Sequence, residues 1–267
     1  MKKKIRIGAL ISGGGTNLQA IIDASRSGSI DADIAFVGAD TPAAKGLERA
    51  RQHGIPDVVV DYAAVIRACR HEPGRLLPPE DFRLADVRGK QAIFPPSADR
   101  TTVDAFLTCR AIAEALLLKA MPPDSFDLLV LAGFMRNLTP YFIDRVNTDR
   151  ARPRIMNIHP ALLPAFPGTD GYGDTFRYGC KVAGCTVHFV DYGEDSGPII
   201  GQRAFTVHED DTLDSLRRRG LEQEWQLYPE CIQLFAEGRL TTVRMRFERP
   251  GGGVFERTVV KVLPKKG

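Results

Sequence analysis

An α/β fold, with a mostly parallel central sheet and flanking helices, is what this sequence predicts, and three observations predict it. Between residues 5 and 61, short apolar, β-branched runs alternate with helical stretches, the rhythm of a parallel sheet. The run Leu128-Leu129-Val130-Leu131-Ala132 is apolar without a break, as in a strand covered on both faces. The turn Ser12-Gly13-Gly14-Gly15-Thr16-Asn17 lies between the first strand and the first helix, where exposed backbone N–H groups favour an anion.

Taken in order, Ile5 to Ser12 is a strand and Leu18 to Ser27 the helix after it; Ile34 to Ala39 and Lys45 to His53 repeat the unit, and Val58 to Asp61 is a third strand. From Tyr62 to Arg100 the chain is rich in Pro, Arg and Asp, with Pro73-Gly74, Pro78-Pro79 and Pro95-Pro96, so no element longer than a short turn or strand is expected. So long a structureless stretch reads as an insertion that covers a site, makes a subunit contact or decorates the surface. Thr101 to Ala120 is a helix, Asp127 to Ala132 a central strand and Pro140 to Val146 a short helix. The strand carrying Asn157 and His159 follows, then Cys185 to Val190, Ile199 to Val207, and a long amphipathic helix from about Leu213 to Phe235. Thr241 to Phe247 and Val254 to Leu263, joined by Gly251-Gly252-Gly253, make a C-terminal β-hairpin. Its Arg244, Arg246, Arg249, Arg257, Lys261, Lys265 and Lys266 suit solubility and edge protection. The expected division is a main Rossmann-like domain over residues 1–240, with an insertion at about 62–100, and a hairpin extension over 241–267 that is not an independent domain.

With 267 residues the chain is long enough to bury a real core. Its 36 basic and 33 acidic side chains nearly balance, so composition points to neither nucleic acid nor an anionic membrane, although a small anionic substrate stays open. Met1-Lys2-Lys3-Lys4 imitates the start of a signal peptide, but Arg6 and the glycines at 13–15 break the apolar run, and no stretch is long enough to span a bilayer. Five cysteines, odd in number and without a CxxC pair, read as reduced thiols. A cytoplasmic location is the default expectation, and a homodimer stays open.

The chemistry concentrates at three places. In Asn157-Ile158-His159-Pro160 the strand alternation turns Asn157 and His159 to one face, and Pro160 ends the ladder. An amide beside an imidazole at a strand's carboxyl end supplies the donors that a developing oxyanion needs. In the glycine loop, Gly15, Thr16 and Asn17 open the helix; with no Lys-Ser/Thr and with Leu18 at the third glycine position of a dinucleotide fingerprint, the loop suits a monophosphate. In the acidic turn Asp191-Tyr192-Gly193-Glu194-Asp195-Ser196-Gly197-Pro198, Asp195 is either a turn former or a partner that holds His159 and favours its protonated form. His188 is either a core histidine or a second donor behind the site. A metal centre built from His159, His188, Cys180, Cys185 and Asp195 lacks compact ligand spacing, so none is expected.

These residues together resemble a family. Ile11 to Ile22, Gly46 to Ala50, Val130 to Arg136, Asn157 to Pro164, Gly184 to Val190 and Asp195 to Ile200 are similar, in order, to segments of the phosphoribosylglycinamide formyltransferases, the folate-dependent glycinamide ribonucleotide transformylases of purine synthesis. The resemblance implies the formyltransferase fold and transfer of a formyl group from 10-formyltetrahydrofolate to the amine of glycinamide ribonucleotide, without a metal. It implies Asn157, His159 and Asp195 as the catalytic trio, and Gly15, Thr16 and Asn17 around the substrate phosphate. It further implies Glu224 at the glycinamide, and Met135, Arg136, Asn137, Leu138 and Asn157 along the folate, with Arg100 as the matching folate-contacting arginine. Three features depart from the family: the insertion, the basic hairpin, and Asp170 where a histidine is expected. They keep open a formyl-folate hydrolase, a different amine acceptor, or a homologue that binds sugar phosphate or folate without turnover.

Overall fold

A computed structural model describes residues 4–72, 74–122, 124–149 and 151–265; Pro73 of the expected Pro-Gly turn and Lys266 of the basic tail lie outside the described residues. Seven strands form the central sheet: β1 (Ile5–Ile11), β2 (Ala32–Ala39), β3 (Asp57–Val59), β4 (Leu128–Leu131), β5 (Ile155–His159), β6 (Val182–Phe189) and β7 (Ile199–Thr206). Their order is β3-β2-β1-β4-β5-β6-β7. The first five run parallel, and β6 and β7 join antiparallel. The expected parallel sheet is therefore present, with β1 and β4 at its centre.

Alternation along β1 divides the core. Ile7, Ala9 and Ile11 face Leu18, Ile21 and Ile22 of α1 (Thr16–Ser27) and Tyr228 and Ile232 of α8 (Leu213–Ala236), with α2 (Gly46–Gln52) beside them. Leu10, with Leu129 and Leu131, faces the other way, onto α3 (Tyr62–His71), α5 (Arg100–Ala120) and α6 (Pro140–Val146). Each central strand is buried on both faces, which is why the β4 sequence is a continuous apolar run.

The 62–100 segment corrects the sequence expectation, because it folds into α3 and α4 (Leu84–Lys90) rather than turns alone. The prolines at 78, 79, 95 and 96 flank these helices without entering them. Asp61 caps α3 by accepting from the Ala64 N–H at 2.9 Å, and Tyr62 and Val65 bury its inner face. Val87 anchors α4 in a small cluster with Val103, Leu107 and Ala111 of α5. A further unforeseen helix, α7 (Gly171–Arg177), follows the strand that carries His159. Gly171 starts it because a Cβ there would lie 2.7 Å from the Pro160 carbonyl oxygen.

The C-terminal hairpin, β8 (Leu240–Glu248) and β9 (Val254–Val262), is a separate two-stranded sheet. Leu240 and Val260 at its base pack on the main core, and Thr242 Oγ1 donates to the Ala151 carbonyl at 2.9 Å. Among the described residues no helix is long and apolar enough to cross a membrane.

Candidate active site

The carboxyl ends of β4 and β5, the loops after them and the β6–β7 loop enclose a cleft of about 520 Å³, closed on its sides by α5 and α8. It opens where the parallel part of the sheet gives way to the antiparallel part, a position where α/β sheets bind ligands.

Asn157, His159, Asp195 and His188 meet in this cleft. Pairing of β5 with β6 sets Asn157 opposite His188 and His159 opposite Thr186. Asp195, on the β6–β7 loop, lies 3.2 Å from His159 Nδ1 through Oδ2 and 3.6 Å from His188 Nε2 through Oδ1. The Gly168 N–H donates to Asp195 Oδ2 at 2.9 Å. The other ring nitrogen of His159, Nε2, donates to the Phe166 carbonyl at 2.8 Å. Both imidazole nitrogens thus face acceptors, the arrangement an imidazolium prefers. Asn157 Nδ2 is 3.1 Å from His188 Nε2 and 3.5 Å from Asp195 Oδ1. His188 Nδ1 donates to the Phe189 carbonyl at 2.9 Å, which turns Nε2 toward Asn157 and Asp195. Phe166 and Asp195 both have positive φ, 54° and 49°, so local backbone strain coincides with these contacts.

Electrostatics corrects the expected state of His159. Burial lowers its pKa, against the opposing pull of the Asp195 carboxylate and the Phe166 carbonyl. The carboxylate does favour the imidazolium, but desolvation of a ring only 2% exposed outweighs it. For Asp195 the balance differs. Burial pushes its pKa up, yet the His188 hydrogen bond, the His159 charge and the Gly168 N–H together hold it below the usual carboxylate range.

The glycine loop leads into α1 beside the cleft. Gly15, at φ 70°, packs so closely on α2 that a Cβ would lie 2.8 Å from Gly46 Cα, whereas Cβ atoms at Gly13 and Gly14 would meet nothing within 4 Å. Asn17 lines the cleft, while Thr16 lines a second cavity of about 940 Å³ between α1 and α8; Gly15 borders neither. Glu224, 4% exposed, accepts from Asn17 Nδ2 at 2.6 Å and from the Tyr172 hydroxyl of α7 at 2.8 Å. Its pKa is raised, with burial opposed by those two hydrogen bonds. Tyr172 was not foreseen. The signal available for it was Gly220, where a Cβ would lie 2.2 Å from the Tyr172 ring.

Met135, Arg136, Asn137 and Leu138 all line the cleft. The Met135 N–H donates to Ser12 Oγ at 2.8 Å, tying this segment to the glycine loop, and Asn137 Nδ2 donates to Glu194 at 3.0 Å. Arg136 pairs through Nε with the buried Asp40. Arg100 is a correction: its side chain is 76% exposed beside Asp104 at the start of α5, outside the cleft. The α5 arginine that lines the cleft is Arg110, nearly three turns further along, 7% exposed and with Nε and Nη1 lacking hydrogen-bond partners. The rings of Phe106 and Tyr62 lie 4.9 and 5.4 Å from its guanidinium carbon. Glu114, one turn on, is fully buried, with its pKa pushed up to about 8 by burial against the hydrogen bonds from Thr139. A charged Arg-x-x-x-Glu pair inside an apolar helix was the sequence signal for Arg110.

Asp170 lines the cleft mouth and pairs with Arg177 at 2.8 Å and Arg217 at 2.9 Å, which lower its pKa. Cys180 lies outside the trio, and Cys185 is a buried residue of β6.

A family model described as formyl transferase matches residues 5–232. The chain belongs to the formyl transferase family. Its similarity to a phosphoribosylglycinamide formyltransferase of Haemophilus influenzae is 36% identity over 235 residues, 88% of this chain and 89% of that protein. With the trifunctional purine biosynthetic protein adenosine-3 of Drosophila melanogaster it shares 35% identity over 239 residues, and it spans 14% of that protein's length. The crystal structure of glycinamide ribonucleotide transformylase 1 from Symbiobacterium toebii superposes with a TM-score of 0.68 at 38% identity, covering 99% of this chain and 96% of that one. The span matched to the formyl transferase family includes every residue of the cleft and ends inside α8, before the hairpin.

Proposed function

We propose that this protein is a phosphoribosylglycinamide formyltransferase, moving the formyl group of 10-formyltetrahydrofolate to the amine of glycinamide ribonucleotide in purine synthesis. The observation that carries the reading is one cleft joining the Asn157–His159–Asp195 trio to the α1 entrance through Asn17 and Glu224. The first-turn N–H groups of α1 have no partners within the helix, so Gly15, Thr16 and Asn17 hold the substrate phosphate there. Glu224 receives the glycinamide end. The segment Met135 to Leu138 borders the folate, and Arg110, whose Nε and Nη1 lack hydrogen-bond partners, takes its carboxylate in place of Arg100.

In its protonated form, which Asp195 and the Phe166 carbonyl favour against burial, His159 places positive charge beside the tetrahedral oxyanion and gives a proton toward the departing folate nitrogen. Asn157 contributes the N–H now directed at Asp195 Oδ1, whose 3.5 Å length makes it the weaker of the two Asn157 contacts and the easier to exchange for a substrate oxygen. Asp195 holds the ring and draws off the proton of the attacking amine. His188 orients Asn157 and helps keep Asp195 ionised.

Incubating the purified protein with both substrates tests the reading. Formylated ribonucleotide and tetrahydrofolate are expected in equal amounts. Formate release without transfer would identify a hydrolase, and binding of both ligands without product would identify a non-catalytic homologue.

A further inference from the structure

We infer that the inserted segment from α4 to Phe94 is a brace that holds the β6–β7 loop, and with it Asp195, in its working position. The brace makes two direct contacts with that loop. The Ala92 N–H donates to the Tyr192 carbonyl at 2.8 Å, and Ala92 forms a parallel β-bridge with Gly193. Gly193 is required by the loop's own turn, where a Cβ would lie 2.3 Å from Ser196 Oγ, while toward the Ala92 carbonyl it would make an ordinary contact at 3.5 Å. A relay adds to them. Lys90 Nζ pairs with Asp144 of α6 at 2.5 Å, and the Tyr192 hydroxyl donates to the other oxygen of the same carboxylate.

The brace is itself held firmly. Arg88 Nη1 donates to both carboxylate oxygens of Asp104 at 2.7 Å, an ion pair across to α5. Gln91 Oε1 accepts from the N–H groups of Ile93 and Phe94 at 3.0 and 2.9 Å, which fixes the turn that presents Ala92. Phe94 packs edge-on against Phe106, with centroids 5.0 Å apart, and Phe106 lines the cleft. The insertion thus reaches the cleft from two directions, through Phe106 on one side and through Tyr192 and Gly193 on the other. Surface decoration would require neither contact. Two residues beyond Gly193, Asp195 is held at positive φ, and a conformation that costs free energy persists only where its surroundings enforce it. Lys90 and Ala92 are accordingly positioning residues that act through the loop.

The kinetic part of the test rests on the formyl-transfer reading, and the spectroscopic part does not. Ala92→Pro removes the N–H to Tyr192, and Gln91 already has the extended backbone, φ −64° and ψ 144°, that a following proline requires. Tyr192→Phe removes only the hydroxyl of the relay and guards against a misfolded proline variant. In folded Ala92→Pro, turnover should fall by about tenfold or more, on the scale that displacement of a positioned group costs, while KM for glycinamide ribonucleotide stays near wild type. NMR titration should place His159 at lower pH than in wild type, because Asp195 has moved away, and amides 193–196 should exchange faster. Tyr192→Phe should show the same changes to a smaller degree. If wild type gave no product, the functional reading would fall, and titration and exchange would still decide the brace. Wild-type titration and wild-type exchange in both variants would overturn the brace, and so would a loss confined to the ribonucleotide KM.

Discussion

His159 occupies surroundings that oppose one another, since burial disfavours its charge while a carboxylate on Nδ1 and a carbonyl on Nε2 favour it. The Asn-x-His spacing made Asn157 and His159 legible in the sequence, and the Asp195 turn followed from its place before Gly197-Pro198. The net direction of the imidazole was not legible, because desolvation depends on what packs around the ring in the folded cleft. Arg110 was missed for a related reason. A helix start drew attention to Arg100, whereas the side chain that points into the cleft is decided by where α5 packs. Asp195→Asn separates the contributions. Removing the carboxylate deletes the main influence that raises the His159 pKa, so the protonated form should be lost at lower pH as pH rises, and the falling limb of the turnover profile should move with it. Linkage has the matching sign: a depressed imidazole pKa gives stability above the ordinary value of 6.5 that is lost as pH falls through the folded value, and the variant should lose it over a wider range. The turnover profile, read beside the His159 NMR titration, checks this, and a pair of unchanged curves would return Asp195 to the status of a turn former.

At the scale of elements, patterning found every strand of the sheet, because alternation and apolar runs report burial directly. It did not find α3, α4 or α7. The first two lie among prolines that mark their ends, and their inner faces are short, Tyr62 with Val65 in one and Val87 in the other. The third contains two glycines in seven residues and is held by its contacts with α8 rather than by propensity. The glycine loop was legible, but its glycines have different tasks. Gly15 is required internally, by its positive φ and its contact with Gly46, so enlarging it disturbs the packing of α1 on α2 as well as any ligand. Gly14 faces open space. Gly14→Val should therefore fold with near wild-type melting behaviour, yet weaken glycinamide ribonucleotide far more than folate, because the branched side chain keeps phosphate away from the backbone N–H groups. Calorimetry with each ligand measures the difference, and equal losses for both would deny the loop this selective role.

The whole molecule places its chemistry where two halves of one sheet meet. Parallel strands β1 and β4 send the glycine loop and the Met135 segment to the crevice, and the antiparallel return of β6 and β7 brings Asp195 back over β5. Ser12 and Met135 couple the two sides through a hydrogen bond of 2.8 Å. The hairpin takes no part in this arrangement, since no residue after Glu224 lines the cleft. Its base and its tip differ in kind. Leu240 and Val260 extend the core at the base, whereas Phe247 and Phe255 stack on one another at 5.0 Å near the tip, with Phe255 41% exposed. Replacing residues 248–254 with a two-residue turn should leave the kinetics of both substrates and the melting temperature at wild-type values. Removing everything from residue 240 onward should also spare the cleft but uncover the core, and each kcal/mol of lost burial should lower the melting temperature by about 2–4 °C. Calorimetric melting and turnover of the two truncations decide the matter: a tip variant that melts normally but turns over slowly would require the hairpin to reach the substrates, and a full truncation that melts normally would make the contacts of Leu240 and Val260 dispensable.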